Sequence, residues 1–198
     1  VTLFLSERGG MNAPGSSYPL KAVFLAGCLF GLAFLARYQS AASSIGAGLW
    51  LLFHARERLR SFALFSAGAL GFAALGTFLD AWGYGGWTCA PYNYFYQTLV
   101  KGIAAGMGTK PVWAFLYLPA RGVHAPLIML VMLAGFLFWL RRPRHPLTWL
   151  MLPFWLLHSL IAHKEPRYLY PLAWFGLAAL WLLLDAQPTR ELAPAGLR

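Results

Sequence analysis

The stretch HSLIAHKEPRYLYPLAWF, residues 158–175, interrupts an apolar run with four ionisable residues: His163, Lys164, Glu165 and Arg167. An ionisable group at the bilayer centre costs about 2.5 to 3.5 kcal/mol, so such groups persist where they pair, reach the headgroups or face a cavity. In one interpretation, Lys164 and Arg167 reach lipid headgroups and Glu165 partly neutralises them. In the other, the cluster holds a phosphate, because lysine supplies a point charge and arginine a bidentate fork.

The composition around this stretch is that of a membrane protein. Of 198 residues, 59% are hydrophobic and only 11% are charged, which excludes an ordinary water-soluble domain. The net charge of +10 comes from basic residues in short gaps between apolar runs, as in membrane topology, so we predict no nucleic-acid partner. Cys28 and Cys89 have no disulfide or zinc spacing, and we predict no metal site.

Apolar runs predict an all-α transmembrane bundle, a single domain over residues 1–198, with about six membrane-crossing segments. The predicted segments are 20–36, 41–53, 61–79, 123–140, 147–162 and 168–184. A long outer, exoplasmic loop is predicted at 80–122, and a cytoplasmic tail at 185–198.

Basic gaps predict the orientation of this bundle. Arginines crowd two short gaps, at 56–60 and at 141–144, and the positive-inside rule assigns both gaps to the cytoplasmic side. Three irregular segments then share the opposite face: the turn at Arg37, the loop at 80–122 and the cluster at 163–167.

Two segments of the predicted outer face match one family signature. HKEPRYLYP, residues 163–171, resembles the HKExRF signature of the glycosyltransferase family 22 mannosyltransferases. DAWGYGGWTCAPYNYF, residues 80–95, resembles the D-x-x-x-Y-G-x-W-x-x-x-P-x-N-F segment of that family, with Tyr94 in place of phenylalanine. The matching residues there are Asp80, Tyr84, Gly85, Trp87, Pro91 and Asn93.

Two looser matches support the resemblance. LARYQSA is similar to the R-P-T-S-A segment of the family, with Arg37 and Ser40 retained and with Tyr38 and Gln39 departing. GTKPVWAF, residues 108–115, resembles the family's G-x-x-P-W-x-W-Y segment. The resemblance covers about residues 20–185, in the order of the family.

The resemblance implies a GT-C membrane fold and an inverting transfer on the exoplasmic or luminal face. It implies a polyprenyl- or dolichyl-phosphate-linked mannose as donor, a glycan or glycolipid as acceptor, contact with membrane lipids, and no cofactor beyond the lipid-linked sugar. Members of the family are about twice as long or more, and their catalytic carboxylate lies in the first outer loop. We therefore expect this chain to be a C-terminal fragment whose main base lies upstream.

Roles for individual residues follow from this resemblance and from their chemistry. The predicted donor-phosphate ligands are Arg37, His163, Lys164 and Arg167, because cations stabilise a leaving phosphate as it gains charge. The predicted orienting or sugar-binding residues are Glu165, Tyr84, Trp87 and Asn93. Asp80 is the candidate base, with pairing to a nearby cation as its alternative role. The loop aromatics fit either a sugar platform or an interfacial belt.

Other classes of membrane protein remain open at this stage. A transporter or lipid-binding module would hold the same lipid phosphate without transferase chemistry, and a structural subunit would need neither. The Ala-, Leu- and Arg-rich composition and short loops favour a bacterial inner membrane over the endoplasmic reticulum.

Overall fold

The computed structural model describes residues 18–121 and 125–185, and the regular structure among them is entirely helical. In chain order the helices are α1 (Leu20–Ala36), α2 (Ala41–His54), α3 (Arg58–Gly83), α4 (Ala90–Phe95), α5 (Ile103–Gly106), α6 (Ala114–Tyr117), α7 (Ala125–Arg141), α8 (Pro146–Leu160) and α9 (Tyr170–Asp185). Short 3-10 turns occupy Tyr38–Ser40, Leu118–Arg121 and Pro166–Leu169, and a π-helical turn occupies Tyr96–Val100. The all-α prediction is confirmed for the described residues, and nearly all of the predicted cytoplasmic tail lies outside them.

The third helix is longer than the sequence pattern predicts. It begins at Arg58, inside the basic gap, and runs to Gly83, so Asp80 lies in its last turn instead of ending it. The helix continues because the Asp80 carbonyl still accepts a hydrogen bond from the amide of Tyr84, 2.9 Å away. The chain turns at Gly85, whose φ of 67° favours glycine.

Two helical segments are long and apolar enough to cross a membrane: Arg58–Gly83 and Pro166–Asp185. Only 17% and 22% of their apolar windows are buried inside the protein, so most of this surface faces outward, unlike the core helix of a soluble domain. Helices α1 and α7 are apolar and shorter, with 17 residues each. Membrane crossing by all six segments stays a prediction.

Glycines allow α1 and α3 to pack at very short distance. Gly27 and Gly31 lie one turn apart on α1 and face α3, in the manner of a small-xxx-small helix pair. On α3, a Cβ at Gly68 would lie 2.6 Å from the Phe24 carbonyl oxygen and 2.8 Å from the Cys28 amide nitrogen. The backbones of α1 and α3 therefore come into contact at these glycines.

Helix α2 joins this pair to the remaining helices. It packs against both α3 and α8, while α9 packs mainly against α7. At the α2–α8 contact, Gly46 lies against the carbonyl of Trp149. That carbonyl lacks its usual helical partner because Pro153, four residues later, has no N–H. The glycine thus packs at the one turn of α8 where the proline leaves a carbonyl uncovered.

The helices bring the irregular segments to two opposite ends of the bundle. At the end that we call the loop end, the turn after α1 contacts the segment after α3 through Gln39 and Tyr94. At the same end, the segment after α8 contacts that loop through Lys164 and Lys110. At the opposite, basic end, the indole of Trp50 donates to the Arg144 carbonyl at 2.8 Å. The three irregular segments predicted to share a face do lie together at the loop end.

Candidate functional site

The segment from Ile161 to Arg167, which we call the HKEPR loop, is held against the outer loop by backbone contacts. The amide of Lys110 donates to the carbonyl of Ala162 at 2.9 Å. Nδ1 of His163 lies 3.0 Å from the carbonyl oxygen of Gly108. The chain is extended at Ile161, just after α8 ends, which lets it run beside residues 108–110.

Lys164 is buried beneath this contact, with 1% of its surface exposed. Its ammonium donates to the carbonyls of Lys110, at 3.1 Å, and Ile161, at 2.6 Å. In return, the ammonium of Lys110 donates to the carbonyl of Lys164 at 2.8 Å. Burial, with the nearby charge of Lys110, lowers the pKa of Lys164. The structure thus places this predicted phosphate ligand inside the loop contact and not on the surface.

Glu165 joins the two remaining cations of the HKEPR loop. One carboxylate oxygen lies 3.0 Å from Nε2 of His163, and the other pairs with Nε of Arg167. The hydrogen bond from His163, together with the Arg167 contact, lowers the pKa of Glu165. Both ring nitrogens of His163 face acceptors, so only the imidazolium form donates to both. This arrangement suits the orienting role predicted for Glu165.

Arg167 is the exposed cation of this loop. Its side chain is 65% accessible, and its guanidinium has five N–H donors, of which Nε–H is directed at Glu165. The guanidinium also interacts with the Tyr168 hydroxyl. Arg167 therefore combines a fixed position with an accessible charge.

Arg37 is held by a second network at the loop end. Its Nε donates to Oε1 of Gln39 at 3.3 Å, and Nε2 of Gln39 donates to the Tyr94 hydroxyl at 2.7 Å. The ring of Tyr38 packs on that of Tyr94, with centroids 5.5 Å apart. Tyr38, Gln39 and Tyr94 are three positions that depart from the family segments, and in the fold they contact one another.

Two tyrosines interact with the surroundings of the two arginines. Tyr94, in the Arg37 network, interacts electrostatically with Tyr168, which also interacts with Arg167. The Tyr168 ring also lies 6.2 Å from that of His163. Sequence reasoning gave no individual role to Tyr168 or Gln39, and it gave Tyr94 a role only among the loop aromatics. The signal was that all three depart from the resembled segments.

Asp80 lies beside the Arg37 network and not beside the HKEPR loop. Burial raises the pKa of Tyr38, and the charges of Asp80 and Tyr84 add to this effect. Within the described part of the chain, the Asp80 carboxylate has no hydrogen bond or ion pair. Because Glu165 is engaged by two cations, Asp80 is the carboxylate at this end that is available to accept a proton.

The predicted sugar-binding residues lie at the outer edge of this end. Tyr84 is 76% exposed and Trp87 is 89% exposed. Asn93 is also exposed and donates to the Thr88 hydroxyl at 3.1 Å, which braces the turn between α3 and α4. Among the described residues, no aromatic contact joins Trp87 to the cation cluster. The structure thus brings Tyr84 towards the Arg37 network and leaves Trp87 apart.

An apolar groove with a volume of about 180 Å³ opens beside the HKEPR loop. It lies between α7, α8 and α9, begins at Pro166 and Tyr170, and continues to Met151 and Trp139. The sequence alone did not reveal it, because its walls come from helices far apart in the chain. Pro166 and Leu169, on either side of Arg167 in the chain, line this lipid-compatible surface.

Comparison with known proteins identifies one family. The model of the Alg9-like mannosyltransferase family matches residues 2–187, which is most of the chain. Neither the curated proteins nor the solved structures contain a significant match to the chain.

Proposed function

We propose, because the chain belongs to the Alg9-like mannosyltransferase family, that it is part of a multi-pass membrane mannosyltransferase whose donor is a polyprenyl-phosphate-linked mannose. The observation that carries this proposal is that Pro166 and Leu169, on either side of the exposed Arg167 in the chain, line the apolar groove. A polyprenyl phosphate has an anionic head and a long apolar tail, so it needs a cation next to a lipid-compatible surface. The Ala-, Leu- and Arg-rich composition supports a bacterial inner membrane as its location, with the endoplasmic reticulum as the alternative.

The donor phosphate would lie between the two arginines. Arg37 is linked through Gln39 to Tyr94, and Tyr94 interacts electrostatically with Tyr168, the neighbour of Arg167. His163 and Arg167 contact the same carboxylate, that of Glu165. As the bond between the anomeric carbon and the phosphate oxygen breaks, its electron pair moves to the phosphate. Fixed cations stabilise that developing charge more strongly than they stabilise the bound donor, so they lower the activation barrier of transfer.

The acceptor would be a glycan or glycolipid hydroxyl at the outer edge of the loop end. In a single inverting displacement, the hydroxyl oxygen bonds to the anomeric carbon while its proton passes to a carboxylate. In the described part of the chain, Asp80 is the carboxylate that suits this role. Tyr84, Trp87 and Asn93 would contact sugar rings there, since their exposed aromatic and amide groups face the side from which an acceptor arrives.

A second candidate function uses the same groove and cation. A lipid-binding or transport module would hold the polyprenyl phosphate as cargo and transfer nothing. The contacts of Glu165 with His163 and Arg167 hold both residues in position, which suits the binding of an anion in both cases. Transfer of the sugar, measured separately from binding of the carrier, distinguishes these two functions.

The test is transfer of labelled mannose from polyprenyl-phosphate-mannose in membranes that contain the full-length protein. Arg167→Ala is compared with Arg121→Ala, a matched control at the same end whose guanidinium stacks on Tyr117, 5.0 Å from its ring centroid. We expect transfer by the wild type and the control, and a loss of about 10- to 100-fold in Arg167→Ala. Carrier binding without transfer would favour the lipid-binding module. The absence of both binding and transfer would overturn the proposal.

A further inference from the structure

Two lysines tie the HKEPR loop to the outer loop by exchanging hydrogen bonds. Each ammonium donates to the backbone carbonyl of the other residue: Lys110 to Lys164 at 2.8 Å, and Lys164 to Lys110 at 3.1 Å. The bond from the Lys110 amide to the Ala162 carbonyl, at 2.9 Å, lies beside them. These contacts join residues that are 54 positions apart in the chain.

The chemistry of this contact differs from that of a phosphate ligand. The Lys164 ammonium is buried, and two of its three N–H groups are already directed at the carbonyls of Lys110 and Ile161. Arg167, three residues later, has an accessible guanidinium. The HKEPR loop thus has a buried cation, Lys164, which donates to backbone carbonyls, and an accessible cation, Arg167, which is available to a ligand.

We propose that Lys110 and Lys164 form a clasp that positions the HKEPR loop, and that Lys164 acts as a positioning residue and does not bind the donor phosphate. The inference rests on the proposed function, which it deepens by assigning the phosphate to the cations that the clasp leaves accessible. The clasp fixes residues 162–165 against the outer loop. Through Glu165, it sets where His163 and Arg167 lie relative to the groove.

The clasp also explains why two positive charges lie so close together. Desolvation and the charge of Lys110 act against the ammonium of Lys164, and charge-assisted hydrogen bonds to carbonyl oxygens offset this cost. A carbonyl that loses its lysine would be left without that donor in a buried position. Loss of either lysine would then loosen both the HKEPR loop and the outer loop, because each lysine donates to a carbonyl of the other segment.

The first test compares kcat and KM for the lipid-linked donor in the full-length enzyme. Lys164→Met and Lys110→Met should each lower kcat by about 10- to 100-fold through misplacement of the loop, and the double variant should be no worse than the poorer single variant. Lys164→Arg should also lose activity, because a planar guanidinium does not fit between the two carbonyls. Lys101→Met is the control, since Lys101 is an exposed lysine of the same outer loop.

Three results would overturn the clasp. Retained transfer in Lys164→Arg, with a raised donor KM only in Lys164→Met, would make Lys164 a phosphate ligand. Wild-type activity in Lys110→Met would show that the exchange of hydrogen bonds does not matter. Loss of thermal stability with unchanged kcat per folded enzyme would reduce the contact to a purely structural one.

Hydrogen–deuterium exchange tests the clasp without any substrate. In Lys164→Met the amide of Lys110, which is bonded to Ala162, should exchange at least about tenfold faster, as should residues 161–167. In Lys110→Met the same two segments should open. Faster exchange confined to the substituted segment would contradict the clasp. If the wild type transfers no mannose, the proposed function fails, while exchange still decides whether the lysines hold the two loops together.

Discussion

The hydroxyl of Tyr94 accepts a hydrogen bond of 2.7 Å from Nε2 of Gln39, and the other end of the Gln39 amide accepts from Nε of Arg37. Both Gln39 and Tyr94 depart from the family segments that they otherwise resemble. A phenylalanine at position 94 has no acceptor, so the glutamine amide would lose this partner. The two departures thus depend on each other, and together they hold the predicted phosphate ligand Arg37.

Removing the Tyr94 hydroxyl should weaken donor binding. In Tyr94→Phe, Gln39 loses one hydrogen bond worth about 1 kcal/mol, so the constraint on Arg37 relaxes and donor KM should rise about fivefold. Tyr92→Phe is the matched control, because Tyr92 is an exposed neighbour that stacks on Tyr96. Steady-state kinetics with varied donor measures the effect. Equal KM values for the two variants would show that this network does not position Arg37.

Neutralising Asp80 tests whether it accepts the proton, or whether a carboxylate upstream does. Asp80→Asn keeps the shape of the side chain but lowers basicity, and loss of a general base lowers kcat by about 10²- to 10⁴-fold. Asp185→Asn, at the basic end, is the control. Single-turnover transfer, normalised to the amount of folded protein, measures the change. A kcat within about twofold of the wild type in Asp80→Asn would assign the base to another carboxylate.

The sequence predicted the helices and the shared face better than the contacts within the site. Apolar runs identify helices such as α1, and basic gaps identify which connections lie together, because both follow from the cost of charge in lipid. The sequence pattern ended α3 too early, because Asp80 ends the apolar run while the backbone hydrogen bonds of the helix continue to Gly83. Periodicity shows which face of one helix is apolar, but not which distant segment covers it.

The burial of Lys164 illustrates what that limit means for the site. Its position in the HKEPR segment suggested an accessible cation, and the segment also contains Arg167, which is accessible. Nothing local in the sequence distinguishes the two, because the difference is set by Lys110, in another segment. The apolar groove was missed for the same reason: its walls meet only in the folded chain.

Two glycines on α3 should respond differently to the same substitution. Gly68→Ala would place a Cβ against the backbone of α1, so the helices must separate, at a cost of about 1 to 3 kcal/mol. Gly71→Ala has open space around its Cβ and should leave stability unchanged or slightly raised. Thermal unfolding of the purified protein in detergent measures both. Equal melting temperatures would mean that α1 and α3 do not pack as closely as the structure shows.

Acid should destabilise the basic end through His145. Nδ1 of His145 accepts a hydrogen bond from the Leu147 amide at 3.1 Å, which caps α8 and requires an unprotonated nitrogen. Burial, aided by the charge of Arg142, lowers the pKa of His145 from its ordinary 6.5 to about 4. Between these values the unfolded chain binds more protons than the folded one. The stability that His145 contributes is therefore complete above about pH 6.5 and is lost as the pH falls towards 4.

His145→Asn separates this effect from other titrations, because asparagine caps a helix without titrating in this range. At pH 8 the two proteins should have similar free energies of unfolding. Between pH 7 and pH 4.5 the wild type should lose about 2 kcal/mol more than the variant, once the partial exposure of the ring is allowed for. Unfolding in detergent across this pH range measures the difference. Parallel pH profiles would mean that His145 is protonated as readily in the folded protein as in the unfolded chain, so that its burial does not control the cap.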